Sequence, residues 1–214
     1  MTKIAIIGGH GKVALHLARL LTADGHDVSS LIRNPEHAAD VSATGATPVV
    51  ADVENLTTDQ LATALAGHDA VVWSAGAGGG SADRTYAVDR DAAIRSINAA
   101  AQTGIYRYIM VSYKGSRADH GASPDDGMFA YYEAKAAADD YLRATSLSWT
   151  ILGPSALTLD AATGAITVGS DASGTTSREN VALVAAAVLA NDNTVGKFIE
   201  FTDGDVPIID AIAG

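Results

Sequence analysis

The chain alternates between short, unbroken apolar runs and longer stretches in which apolar residues recur every three or four positions. The runs "KIAIIG" (3–8), "HDVSSLIR" (26–33), "ATPVVAD" (46–52), "DAVVWSA" (69–75), "YRYIMVS" (106–112) and "LSWTIL" (147–152) read as strands. They are short and mostly non-alternating, as strands buried on both faces are. Between them, "KVALHLARLLTA" (12–23), "PEHAADVSAT" (35–44), "DQLATALA" (59–66), "DRDAAIRSINAAAQ" (89–102) and "MFAYYEAKAAADDYL" (128–142) carry the helical period. Strand–helix alternation requires crossover connections, which lay strands parallel and put helices on both faces. The pattern predicts an α/β fold: a doubly wound parallel sheet of Rossmann type with at least six strands.

After residue 152 the rhythm changes. Residues 153–177, "GPSALTLDAATGAITVGSDASGTTS", are rich in Gly, Ser and Thr, with one strand candidate at 165–168. A helix over 178–190, a strand over 197–203 and a short final segment, 206–213, complete the chain. This tail is too short for a core of its own. The expectation is a single domain over 1–214, with 153–214 forming a small C-terminal cap on the substrate side.

Composition narrows the function. At 214 residues, 48% hydrophobic and 18% charged, the chain is a folded globule rather than a disordered one. A formal charge of −11 repels nucleic acid while leaving room for a local basic pocket for a small anion. No apolar run is long enough to span a bilayer. The opening "MTKIAIIGG" enters a strand pattern without a signal-peptide layout, so a soluble, cytoplasmic protein is expected. The absence of cysteine excludes disulfides, a thiolate nucleophile and cysteine-bound metal. The six histidines (10, 16, 26, 37, 68 and 120) show no i, i+4 pair and no H-E-x-x-H, so no metal site is expected. G-x-S-x-G is absent, which leaves an α/β-hydrolase serine unsupported.

The strongest chemical signal is "IAIIGGHGKVALHLARLL" (4–21), a strand, a glycine turn and a helix. Gly9, Gly11 and Ala14 fit G-x-G-x-x-G/A; Gly8, Gly11 and Ala14 fit the related G-x-x-G-x-x-A. Glycine permits the sharp turn and lets a pyrophosphate approach the backbone, and the small residue at 14 lets the helix pack close to the strand. The helix N-terminus offers free N–H groups and a positive dipole end to the phosphates. A plain glycine turn shares the spacing; position in the first strand–helix unit favours dinucleotide binding. Gly8, Gly9, His10, Gly11, Lys12 and Val13 are therefore cofactor-binding candidates.

The end of the second strand selects the cofactor. An NAD site would carry Asp or Glu there for the ribose 2′-hydroxyl. This chain has Arg33 in "SSLIRNP", and a guanidinium suits a 2′-phosphate. Lys12 would add a second positive charge. NADP is expected, with NAD second; a solvated strand-end arginine is the competing reading. Ligands of such sheets bind beyond the carboxyl ends of the strands. Asp52 and Val53 would border the adenine, and Ala75 and Gly76 would line the cofactor, with the run "GAGGG" (76–80) bringing backbone close to it. Residues 116–127 read as a loop able to order over substrate, and Arg178–Glu179 as a helix-start pair near the pocket.

Tyr131 and Lys135 lie four apart and share a helix face, while Tyr132 projects about 100° away. On spacing alone the pair is either a proton-transfer device or a chance pairing on an amphipathic helix.

Read end to end, the order of "GGHGKVA", "LIRNPE", "VVADVEN", "VVWSAGA", "VDRDAAIRSINAAAQTGIYRYIMVS", "YYEAKAAADDYLRATSLSWTIL", "TSRENVALV" and "GDVPIIDAI" resembles the atypical short-chain dehydrogenases/reductases, the NAD(P)-binding group with NmrA-like and flavin-reductase-like members. The resemblance implies a Rossmann-type fold and a nicotinamide cofactor. It also implies a Ser–Tyr–Lys set: Tyr131 as acid/base, Lys135 binding the nicotinamide ribose and lowering the Tyr pKa, and Ser112 holding the substrate oxygen. A phenol needs such a nearby cation to act near neutral pH. Two departures touch the reaction rather than the cofactor. Gly153-Pro154-Ser155 stands where relatives commonly read Arg-Pro-Gly, and Ser112-Tyr113 replaces a serine pair. The function expected is NADP-dependent hydride transfer to a small carbonyl, quinone or flavin-like compound. The alternatives are an NAD(P)-sensing regulatory protein without turnover and a sugar-nucleotide epimerase/dehydratase relative. The partners expected are a small-molecule substrate and, as an open option, a second copy of the chain in a homodimer. Tyr131 and Lys135 should face the nicotinamide end of the cofactor, with Ser112 nearby.

Overall fold

Strand β1 (Lys3–Ile7) is buried on both faces from Ile4 onward. Its side chains alternate, so Ile4 and Ile6 enter one hydrophobic cluster and Ala5 and Ile7 the other. That alternation divides the domain into two layers around one sheet. The computed structural model describes residues 1–79 and 81–213; Gly80, the last glycine of the 76–80 run, and Gly214 lie outside them.

In chain order follow α1 (Lys12–Ala23), β2 (Asp27–Ile32), α2 (Ala38–Ser42), β3 (Thr47–Val50), α3 (Thr58–Leu65), β4 (Ala70–Trp73), α4 (Ala82–Thr85), α5 (Ala93–Thr103), β5 (Arg107–Val111), α6 (Phe129–Arg143) and β6 (Ser148–Pro154). The remaining elements are β7 (Ala156–Thr158), β8 (Ala165–Val168), β9 (Thr175–Ser177), α7 (Arg178–Leu189), β10 (Lys197–Asp203), β11 (Val206–Pro207) and α8 (Ile208–Ala211). The main sheet has the order β11-β8-β10-β6-β5-β4-β1-β2-β3. Pairing is parallel from β3 across to β10, and β8 is antiparallel to β10. The central order 3-2-1-4-5-6 is that of the doubly wound dinucleotide-binding fold, with the chain reversing direction across the sheet between β1 and β4. The fold is α/β, mostly parallel and Rossmann-like, as the apolar runs imply.

Residues beyond 153 do more than cap. Strands β10, β8 and β11 extend the main sheet, and α7 packs its buried Val181, Val184 and Val188 into the cluster that holds Leu17 and Leu21 of α1. Among the described residues, β7 and β9 alone stand apart, as a two-stranded parallel ribbon. The reason is hydrophobic: β10 supplies the fully buried Phe201, which a surface cap would leave in water.

Two expected helices come out differently. The 35–44 stretch is a 3₁₀ turn, Pro35–His37, followed by the five-residue α2. Ahead of α5, a π-helical segment, Tyr86–Ala92, continues from α4. The helical period at 89–102 therefore belongs to a longer helical run whose middle is underwound to i→i+5 bonding, a geometry often found near functional sites.

Candidate active site

The turn after β1 shows which glycine register operates. Gly8 has φ 84°, the left-handed region, and a Cβ there would lie 2.6 Å from Ala75 Cα. Gly11 donates to the Gly8 carbonyl at 2.8 Å and then N-caps α1 without any side-chain cap. Helices α3 and α7, by contrast, are capped by Thr57 and Ser177. The first turn of α1 thus keeps its N–H groups available, with no acidic residue in it to compete for an anion. Gly8 and Gly11 both line a cavity of about 390 Å³. Gly9 does not; it backs onto β2, where a Cβ would meet Ser30 Cβ at 2.5 Å. Gly8-x-x-Gly11-x-x-Ala14 is thus the pattern whose glycines face the cavity, while Gly9 packs against β2.

The same cavity is lined by His10, Arg33, Asp52, Val53, Ala75 and Gly76. A second cavity of about 390 Å³ shares Ser74, Ala75 and Gly76 with it and adds Val13, Ser112, Tyr131 and Lys135. Together they form one cleft across the carboxyl ends of the central strands. Nearly all the residues singled out from the sequence converge on it. Gly9 and Lys12 line neither cavity, and Lys12 is solvent-exposed. Lys12 is the first helical residue of α1. The second positive charge is instead Arg84 from α4, whose Nε and the Arg33 Nη1 both lie 3.4 Å from Glu54 Oε2. Nothing in the sequence pattern marked Arg84, because the loop that brings it across has no periodicity. His10 stacks on His37 at 3.6 Å and its Nε2 is 2.9 Å from Asp40 Oδ2, so it braces the rim of the cleft. Among the described residues, no group of acidic and histidine side chains is arranged to hold a metal ion.

At the other end, Lys135 is almost fully buried, and its Nζ donates to the Val111 carbonyl at 2.7 Å. Two carboxylates escaped the sequence reading. Asp89 lies in the π-helical segment, is 2% exposed, and accepts the Ala77 N–H at 2.9 Å. Gly76 is small because of it: a Cβ there would come within 3.1 Å of Asp89 Oδ1. Asp139, one turn after Lys135, is fully buried and accepts the hydroxyls of Ser112 at 2.5 Å and Ser116 at 2.6 Å on the same oxygen. Burial raises the pKa of both acids, with the Lys135 charge as the leading opposing effect. A signal did exist for Asp139. It follows Tyr131 and Lys135 at eight and four residues on the same buried face, where an unpartnered acid is out of place.

Tyr131 lines the second cavity, while Tyr132 does not and packs against His120, as its 100° offset implies; both rings lie 5.4 Å from Tyr113. The electrostatics correct one expectation. The Tyr131 phenol is pushed up, first by burial and then by the Asp89 carboxylate, which favours the neutral phenol over a phenolate. Ser112 lines the second cavity, and its Oγ also lies 2.5 Å from Asp139 Oδ2, a contact no spacing in the sequence indicates. The departure at Gly153 has a steric cause. A Cβ there would lie 2.6 Å from the Phe198 ring, so β10 occupies the space that an arginine side chain would need.

These residues suit a dinucleotide: an uncapped helix N-terminus beside a glycine cradle for the pyrophosphate, Arg33 and Arg84 at one end, and Asp52 among the lining residues, its Oδ1 buried without a hydrogen-bond partner. The fold and cleft are those of a nucleotide-cofactor-binding α/β protein. Residues 8–192 match the model of the NAD(P)H-binding family, and the chain belongs to that family. It is 35% identical over 213 residues to the uncharacterized sugar epimerase YhfK of Bacillus subtilis, with 98% of each chain covered. Among solved structures, a Bacillus halodurans protein described as an NAD-dependent epimerase/dehydratase superimposes with a TM-score of 0.91 at 35% identity, covering 99% of both chains. The oxidoreductase ylbE of Lactococcus lactis gives 0.87 at 29% identity, covering 98% of this chain and 94% of that one.

Proposed function

We propose that the protein is an NADP(H)-dependent oxidoreductase that reduces a small carbonyl, quinone or flavin-like compound. The observation that carries this reading is the meeting of Ser112, Tyr131 and Lys135 in a cavity continuous with the glycine cradle. Gly8, Gly11 and the α1 N-terminus would hold the pyrophosphate, Asp52 and Val53 the adenine, and Arg33 with Arg84 the 2′-phosphate. No acid stands at the end of β2 to favour a free 2′-hydroxyl. Bound there, the cofactor supplies hydride. The Lys135 ammonium, anchored on Val111, would hold the nicotinamide ribose. The neutral Tyr131 phenol would donate a hydrogen bond to the substrate oxygen and orient it. The cavity's modest volume favours a small substrate.

A sugar-nucleotide epimerase is the second reading, favoured by the names of the relatives. A screen of carbonyls, quinones and flavins that follows NADPH absorbance separates the two. Oxidation of NADPH by any of them supports the reductase. Interconversion of a nucleotide sugar without net consumption of cofactor overturns it.

A further inference from the structure

We propose that the proton delivered to a substrate oxygen in the second cavity comes from Asp139, held as a neutral carboxylic acid, by way of the Ser112 hydroxyl. The inference rests on the reductase reading for its substrate and on the geometry around Asp139 for its proton. Asp139 is fully buried on α6 and lines neither cavity. One carboxyl oxygen takes both serine hydroxyls, at 2.5 and 2.6 Å, and the other is buried without a hydrogen-bond partner. An ionised carboxylate would leave a charged oxygen unsolvated there, at a high desolvation cost. The neutral acid removes that cost and reverses one hydrogen bond. With its proton on the shared oxygen, Asp139 donates to Ser112 Oγ, and the Ser112 hydrogen becomes free to point into the cavity that Ser112 lines.

The groups facing Asp139 are the Lys135 and Arg143 cations of its own helix, the Ser112 and Ser116 hydroxyls, and the Tyr113 and Tyr131 phenols. Burial outweighs the cations and raises the carboxyl pKa. Tyr131, the competing donor, is pushed up as well and stays a phenol, suited to orienting the substrate.

The proton count closes. With a reduced nicotinamide cofactor bound, the carbonyl carbon would accept its hydride as the C=O π bond breaks, leaving the cofactor oxidised. The carbonyl oxygen takes the Ser112 proton, Ser112 takes the Asp139 proton, and Asp139 is left as a carboxylate beside Lys135. After the alcohol leaves, water entering the cavity returns a proton by the same hydroxyl. Ser112 is the catalytic residue, and Asp139 acts through it as a proton-holding and positioning residue.

Infrared difference spectroscopy of the full chain tests this without turnover. At neutral pH the wild type should show the C=O stretch of a protonated carboxyl. The band should vanish in Asp139→Asn, persist in Asp89→Asn, and shift in Ser112→Ala, which removes one hydrogen-bond partner. Absence of the band in the wild type at neutral pH, or its persistence in Asp139→Asn, overturns the proposal. If Asp139→Asn does not fold, the Ser112→Ala shift decides, and an unshifted band counts against it. In an NADPH assay, Ser112→Ala and Asp139→Asn should each lower kcat by roughly 10²-fold with little change in KM. They should be non-additive and should remove the same limb of the pH profile, which Tyr131→Phe retains. If no carbonyl, quinone or flavin is turned over, the reductase reading falls, and the infrared bands still decide where the proton resides.

Discussion

Replacing Arg33 with alanine should separate the two nicotinamide cofactors. Arg33 lines the first cavity and sits 3.4 Å from Glu54, an ion pair that a bound 2′-phosphate would have to share or displace. A hydrogen bond to a charged group contributes about 1.5–3 kcal/mol. The Arg33 side chain is 58% exposed, so screening places the effect at the lower end. A loss of about 1.5 kcal/mol is a roughly tenfold rise in Kd for NADPH. NADH lacks the phosphate, and its affinity should move by no more than about 0.5 kcal/mol, the scale of an ordinary surface substitution. Titration calorimetry on wild type and Arg33→Ala with both cofactors measures this directly. Equal weakening of NADPH and NADH, or tighter binding of NADH by the wild type, would refute the assignment of Arg33 to the 2′-phosphate.

Glu54→Gln should act in the opposite direction, tightening NADPH several-fold by releasing Arg33 and Arg84 from a competing carboxylate, again read by calorimetry. Gly8→Ala should destabilise the fold, since a left-handed backbone adds about 1–2 kcal/mol and the new Cβ collides with Ala75; thermal unfolding should show a drop of several degrees. Asp89 and Asp139 both have pKa values raised above 3.8 by burial, so each contributes stability that is greatest at low pH and is lost as pH rises through its folded value. Asp139→Asn should therefore flatten the fall of Tm with rising pH, and an unchanged slope would count against a raised carboxyl. Tyr131→Phe should lower kcat about tenfold, the loss of one orienting hydrogen bond, rather than the larger loss expected of an acid/base.

The order of elements, the position of the glycine turn and the basic end of β2 were legible in the chain because each is local. Burial on both faces of a parallel sheet imposes the continuous apolar runs seen at residues 3–8 and 69–75. A sharp turn between β1 and α1 imposes glycine at 8, where φ is 84° and a Cβ would meet Ala75, and a close approach to the Gly8 carbonyl favours it at 11. The pairing of Tyr131 with Lys135 on one face follows from helical spacing, and the structure places both in the cavity beside Ala75 and Gly76. Tertiary structure alone decided the rest. Which glycines line the cleft depends on β2, whose Ser30 fills the space behind Gly9. The second cation is Arg84 rather than Lys12 because α4 folds back over Glu54, a contact between residues 30 positions apart. Asp89 stands among ordinary helical acids in the chain, Asp139 is marked only by the face it shares with Tyr131 and Lys135, and both become chemical groups only when packing strips water from them. Desolvation and charge–charge coupling act through space, and sequence periodicity carries no record of either.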